Sequence, residues 1–153
     1  MNYLTRQLLN PEELEQISKF LDEEDLAWED GKKTAGTHAS IVKNNLQLDR
    51  KSEVSIKLSQ FIRKKILSNP LLKSFTLPKH IHGVMFTKSS KDMHYGRHVD
   101  NPFMSSGRSD LSFTISLSNR NSYEGGELII ETINSEKEFK LNNGCLLYTS
   151  PSP

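Results

Sequence analysis

The sequence predicts an α+β fold, helices packed on an antiparallel sheet, and three observations carry that reading. Apolar residues recur at helical spacing in two stretches before Pro70. After Pro78 the apolar period falls from about 3.6 residues to about 2. Short strand-like runs then follow one another to Tyr148, separated by clusters of Gly, Asn, Ser and Asp. Helices followed by consecutive strands make a helical layer on an antiparallel sheet.

Met1 to Leu9 reads as a short edge strand or an irregular lead-in. Asn10 is placed as a helix N-cap, because Pro11 suits the first helical position and Glu13 the third, the pattern of a capping box. Leu14, Ile17, Phe20 and Leu21 form one apolar stripe, and the acidic run Asp22 to Asp25 ends the helix. Trp28 is expected to anchor the next loop, with Asp30-Gly31 as a turn. Lys32 to Gln47 is polar and weakly patterned, which predicts a surface loop. A second helix is predicted over Ser52 to Ser68: Val54, Leu58, Phe61, Ile62 and Ile66 share a face, while Lys57, Arg63 and Lys64 stay in water. Asn69-Pro70 stops it.

Lys79 to Thr87 and Met93 to Asp100 are strand-like, joined by a turn at Lys88 to Asp92. A turn-rich loop, Asn101 to Gly107, leads to a half-buried strand in which Leu111, Phe113, Ile115 and Leu117 alternate with Ser112, Thr114, Ser116 and Ser118. Tyr123-Glu124-Gly125-Gly126 turns the chain into Glu127 to Ile133, and Glu136 to Leu141 follows. Asn142-Asn143-Gly144 is a hairpin-type turn before a last strand from Cys145 to Tyr148. A jelly roll would close such a run, but it needs about eight strands. Tyr148 to Pro153 cannot complete it, since proline lacks the ladder donor.

The 153 residues fit one domain. Twenty basic and 19 acidic residues are interspersed, net +1, so no basic field suits a phosphate backbone and nucleic-acid binding is disfavoured. Cys145, the sole cysteine, excludes an internal disulfide and is expected to be a small buried hydrophobe in a reduced compartment. No leader-like or membrane-length apolar run is present, which makes the expected location cytoplasmic, with no membrane partner.

The chemistry-bearing stretch is His98-Val99-Asp100. In a strand, residues i and i+2 project to one side, so an imidazole and a carboxylate would meet at a shared point. They make two thirds of the two-histidine, one-carboxylate set that holds non-haem Fe(II) with open positions. Taken alone, the triplet is more often a pair of surface residues. His80 and His82 share the same spacing and read as strand-surface residues. His94 and His98 are four apart, but Gly96 and the β pattern oppose a helix there, and His38 has no visible partner. Arg108 and Asp110 form an ion pair or line a cavity; Gly125-Gly126 reads as turn punctuation. No nucleophile elbow, Walker loop or Cys-x-x-Cys pair occurs.

Six blocks taken in order, Trp28-Glu29-Asp30-Gly31, Thr34-Ala35-Gly36, Lys43 to Gln47, His98-Val99-Asp100-Asn101, Arg108 to Ser112 and Tyr123 to Leu128, resemble the bacterial PKHD-type hydroxylases. These are prolyl 4-hydroxylase-like Fe(II)/2-oxoglutarate dioxygenases. The resemblance implies N-terminal helices on a double-stranded β-helix (jelly roll) and the use of Fe(2+), 2-oxoglutarate, O2 and L-ascorbate. His98 and Asp100 match the first two metal ligands of the family. Its second histidine and its basic 2-oxoglutarate anchor fall beyond Gly144 to Tyr148, past the end of this sequence, so no cofactor-binding residue is assigned. A further departure is Lys88 to Asp92, where relatives carry a tyrosine and a glycine-rich turn. The expectation is a dioxygenase domain over residues 1–148 that lacks its last strands, with a non-native tail from Thr149 to Pro153. Such a chain should be inactive, or act as a non-catalytic jelly-roll binding module, or swap strands in a homo-oligomer.

Overall fold

The computed structural model describes residues 3–23, 25–104, 107–132 and 134–149, and opens on the expected edge strand, β1 (Tyr3–Gln7). Helix α1 (Pro11–Leu21) begins as its capping box dictates. Asn10 Oδ1 accepts from the Glu13 N–H at 2.9 Å, and Glu13 Oε2 accepts from the Asn10 N–H at 3.0 Å. Strand β2 (Trp28–Asp30) follows, then a 3-10 turn (Gly31–Thr34), α2 (Thr37–Ile41), β3 (Lys43–Asn44) and β4 (Leu46–Leu48). Helix α3 (Glu53–Ser68), capped by Ser52, is the long helix the apolar stripe predicts.

Several short elements depart from the sequence reading. Lys32 to Gln47 is no surface loop: Lys43, Asn45 and Gln47 are 3%, 7% and 2% exposed. Gln47 is covered because β4 lies between β2 and β5 (Thr87–Lys88), and the Thr34 hydroxyl donates to Gln47 Oε1; Lys43, in β3, belongs to a separate short ladder. Pro70 ends α3 but also starts α4 (Pro70–Thr76), whose N-cap Asn69 accepts from the Leu72 N–H at 3.1 Å. Proline at a first helical position loses no intrahelical bond, so one residue serves as stop and start.

The predicted strands Lys79–Thr87 and Met93–Asp100 shrink to β5 and to β6 (His94–Tyr95), because only those residues find a ladder partner. The loop at Asn101 to Gly107 carries a small hairpin of β7 (Phe103–Met104) and β8 (Gly107–Arg108). Strands β9 (Ser112–Ile115), β10 (Leu128–Glu131), β11 (Glu136–Phe139) and β12 (Cys145–Thr149) complete the order. The end of the Glu127–Ile133 prediction, and residues 150–153 of the predicted tail, lie outside the described residues.

The described strands form several small antiparallel sheets rather than one. One of the two three-stranded sheets has the order β1-β12-β9. Its register places Leu4, Tyr148 and Phe113 in one row and Arg6, Leu146 and Ile115 in another. These rows share a face by β alternation. Leu146 and Tyr148 join Leu9, Ile17, Leu58, Ile62, Ile66 and Leu72 in the core. The turn at Asn142 to Gly144 closes no hairpin, since β11 pairs with β10 while β12 pairs with β1 and β9. Thr149 belongs to the sheet rather than a tail, opposite both Tyr3 and Ser112.

Helix α1 is tied to α3 by Lys65 Nζ, 2.8 Å from Glu13 Oε1, with the Glu13 side chain 18% exposed. Burial pushes the Glu13 carboxyl up, but the Lys65 ammonium and the Asn10 N–H outweigh it and hold it below its ordinary value. A carboxyl lowered on folding contributes stability at neutral pH that is lost as pH falls through its folded value. Glu13→Gln should therefore cost about 1 kcal/mol at neutral pH. In urea titrations run from about pH 7 down to about pH 3, the gap from wild type should narrow as pH falls through the lowered carboxyl value. A gap constant across that range would remove the ion pair from the stability of the helix layer.

Candidate metal centre

His98 and Asp100 do converge, though not for the reason their spacing suggests. Strand β6 ends at Tyr95, so both residues lie in irregular chain. Local bonds set the geometry instead. The Gly96 N–H donates to Val42 O at 2.7 Å, extending the β3–β6 pairing by one residue. His98 Nδ1 lies 2.8 Å from Gly96 O. A carbonyl only accepts, so Nδ1 carries the proton and a neutral ring keeps its lone pair on Nε2. That Nε2 sits 3.5 Å from Asp100 Oδ1, with the two side chains 24% and 51% exposed. The imidazole is thus mostly covered although the residue as a whole is exposed.

A nitrogen lone pair facing a carboxylate oxygen at that separation can share one cation; the same arrangement also serves a doubly protonated imidazolium paired with Asp100. Neutral imidazole plus carboxylate fits two positions of a non-haem iron set. The third position is not filled here: among the described residues no group of three or more His, Cys, Asp or Glu side chains could hold a metal. No reaction step through iron is therefore derived for these residues.

The remaining candidates have other roles. His80 and His82 meet edge-on at 5.0 Å, but His82 Nε2–H is committed to Arg108 O at 2.9 Å. His94 lies opposite Asn44 in the β3–β6 register, and His38 sits in α2. Arg108 and Asp110 form the ion pair that was one of their two readings. Gly125 and Gly126, at φ 70° and 72°, make the turn. Cys145 is only half-buried, and its thiol donates to Gln7 Oε1 at 3.0 Å, so it is not the inert buried hydrophobe expected. Cys145 is the first residue of β12 and stands directly opposite Gln7 in the ladder, which brings the thiol to a polar partner.

Sequence reasoning missed two neighbours of the centre. The Tyr95 ring stacks on the His98 imidazole, centroids 3.7 Å apart and planes 13° from parallel. Arg97 Nη2 bonds Glu131 Oε1 at 2.7 Å and moors this segment to β10. An aromatic residue three positions before the histidine was the available signal. Burial first, then the negative charge of Asp100, pushes the Tyr95 phenol above its ordinary value, so it stays neutral. Burial likewise lowers the Lys43 ammonium, opposed by the attraction of Asp30.

A separate cavity of about 300 Å³, lined by Arg6, Gln7, Arg120, Lys140 and Cys145 among others, shares no residue with this centre. No helix of the described residues is long and apolar enough to cross a membrane.

No protein-family model matches the chain. Individual relatives do. A PKHD-type hydroxylase of Prochlorococcus marinus (strain MIT 9312) is 70% identical over 151 residues, covering 98% of this chain and 68% of the relative. A second, from strain MIT 9301, is 68% identical over 152 residues, again 98% and 68% of the two chains. A third, from strain MIT 9515, is 64% identical over 151 residues, with the same shares of 98% and 68%. Identity at this level along nearly all of the chain settles kinship: the chain belongs to the PKHD-type hydroxylases, a family of oxidoreductases.

Proposed function

We propose that this chain carries two metal ligands of an Fe(II)- and 2-oxoglutarate-dependent dioxygenase that hydroxylates its substrate. The single observation that supports the reading is the approach of His98 Nε2 to Asp100 Oδ1, with the Nδ1 proton fixed on Gly96 O. In this reading His98 offers its free lone pair, Asp100 offsets the charge of the cation, and Gly96 holds the tautomer. Bound Fe(II), with 2-oxoglutarate, O2 and L-ascorbate, would supply the redox chemistry that side chains lack. In this reading a third ligand and a basic anchor for 2-oxoglutarate would complete the set that His98 and Asp100 begin. Residues 1–148 belong to one jelly-roll domain, of which the β1-β12-β9 sheet and the β10–β11 hairpin are parts. The compartment is the cytoplasm, where a free Cys145 thiol stays reduced.

An anaerobic Fe(II) titration tests this. Wild type should bind weakly, as a two-ligand site does, and His98→Ala and Asp100→Ala should each abolish the binding. Indifference to both changes would leave a non-catalytic binding module as the reading. Succinate release by the 153-residue chain should fall far below that of the longer relatives; a matching rate would show that the ligand set is complete within it. Strand β9 has β12 on one edge and no partner on the other among the described residues. Pairing of that edge between copies makes a homo-oligomer, and light scattering showing only monomer would dispose of it.

A further inference from the structure

We propose that Lys43 and Tyr95 form a packed column that fixes the rotamer of His98, which makes Tyr95 a positioning residue for the metal ligand; the metal part of this rests on the function proposed above. The column begins with strand pairing. Lys43 and Tyr95 are direct partners in the β3–β6 register, so their side chains stand side by side. Lys43 is 3% exposed and makes no close ion pair among the described residues, Asp30 attracting it only from farther off. Its Nζ lies 4.8 Å from the centroid of the Tyr95 ring. A covered ammonium needs a partner, and the negative face of an aromatic ring is one.

The ring so placed packs on His98 at 3.7 Å with an interplanar angle of 13°. An imidazole has two side-chain torsions to fix. Stacking on Tyr95 sets the ring plane, and the bond from Nδ1 to Gly96 O, 2.8 Å, sets the in-plane rotation. Only the Nε2 edge is left free, and it is the edge 3.5 Å from Asp100 Oδ1. The backbone route is equally confined, because a Cβ on Gly96 would come within 3.0 Å of Val42 Cβ. Tyr95 therefore does for His98 what a hydrogen-bonding outer partner does for other metal-bound histidines: it spends the rotamer entropy before the cation arrives.

The test uses the full 153-residue chain with Co(II) as the probe, and imidazole proton NMR of the metal-free chain. Tyr95 is 40% exposed, so Tyr95→Leu leaves the core intact, and Tyr95→Phe keeps the ring. Tyr95→Leu should weaken Co(II) binding by about 10-fold or more, with Tyr95→Phe retaining wild-type affinity. In the metal-free chain the His98 ring protons should lie upfield under the Tyr95 ring current, move downfield in Tyr95→Leu, and stay put in Tyr95→Phe. Lys43→Met should shift the same protons part of the way. His98 protons unmoved by Tyr95→Leu, or unchanged Co(II) affinity in that variant, would overturn the column. Failure of wild type itself to bind Co(II) would overturn the metal reading, and the NMR result would then decide the column by itself.

Discussion

Leu146→Ala is expected to lower the unfolding free energy by about 2–5 kcal/mol, the cost of deleting a buried leucine from a site that cannot collapse. Leu146 is fully buried and lies in β12, the central strand of its sheet. Arg6 and Ile115 are its cross-strand partners, one on each side, and the two ladders keep the backbone from closing on a void. Above the strand, the same core holds Ile17 from α1, Leu58, Ile62 and Ile66 from α3, and Leu72 from α4. One alanine therefore loosens the sheet from three helices at once. For a chain of this size each kcal/mol lowers the melting temperature by about 2–4 °C. Ile129→Ala on β10 is the control, because Ile129 is 52% exposed and its loss should cost under about 0.5 kcal/mol. Urea denaturation of the two variants checks this, and equal losses would show that β12 does not close the helical core.

The structure separates what was legible in the sequence from what was not by the range of the determining contacts. Helix α1 was legible to the residue, because Asn10, Pro11 and Glu13 act on backbone groups within one turn. Helix α3 followed from its apolar stripe and from Ser52 at its cap. The stretch from Lys32 to Gln47 was not legible. Its buried Lys43, Asn45 and Gln47 owe their cover to β5 and β6, far downstream in the chain, and polar side chains under cover look like loop residues in a sequence. The place of β12 was hidden for the same reason: Thr149 pairs with Tyr3 from the other end of the chain.

The metal pair was legible with a mistaken cause. Spacing two residues apart suggested convergence from a strand, whereas the convergence comes from Gly96 and Tyr95. Tyr95 itself became visible only once β3 was seen to pair with β6. Neither partner in that short ladder carries a strong strand signal.

Gly144→Ala should cost about 2–5 kcal/mol, and two separable causes add up to it. Gly144 has φ +77°, a left-handed conformation that costs a residue with a Cβ about 1–2 kcal/mol. A Cβ there would also lie 2.5 Å from Leu9 O and 2.5 Å from Gln7 Nε2. The amide of Gln7 can swing, but Leu9 O is main chain and cannot. Nor can Gly144 retreat. Its carbonyl accepts from the Leu8 and Leu9 N–H groups at 2.9 and 3.1 Å, and its own N–H donates to Ser116 O at 2.7 Å. The added methyl must therefore strain the junction of β1, α1, β9 and β12, at the roughly 1–3 kcal/mol typical of overpacking. Gly125→Ala isolates the first cause, since Gly125 has φ +70° but nothing within 4 Å of a Cβ. It should cost only about 1–2 kcal/mol. Equilibrium unfolding of the two alanine variants thus reads the steric part as a difference. Equal costs would mean that β1 yields at Leu9, and that the seam joining the two ends of the chain is softer than its hydrogen bonds imply.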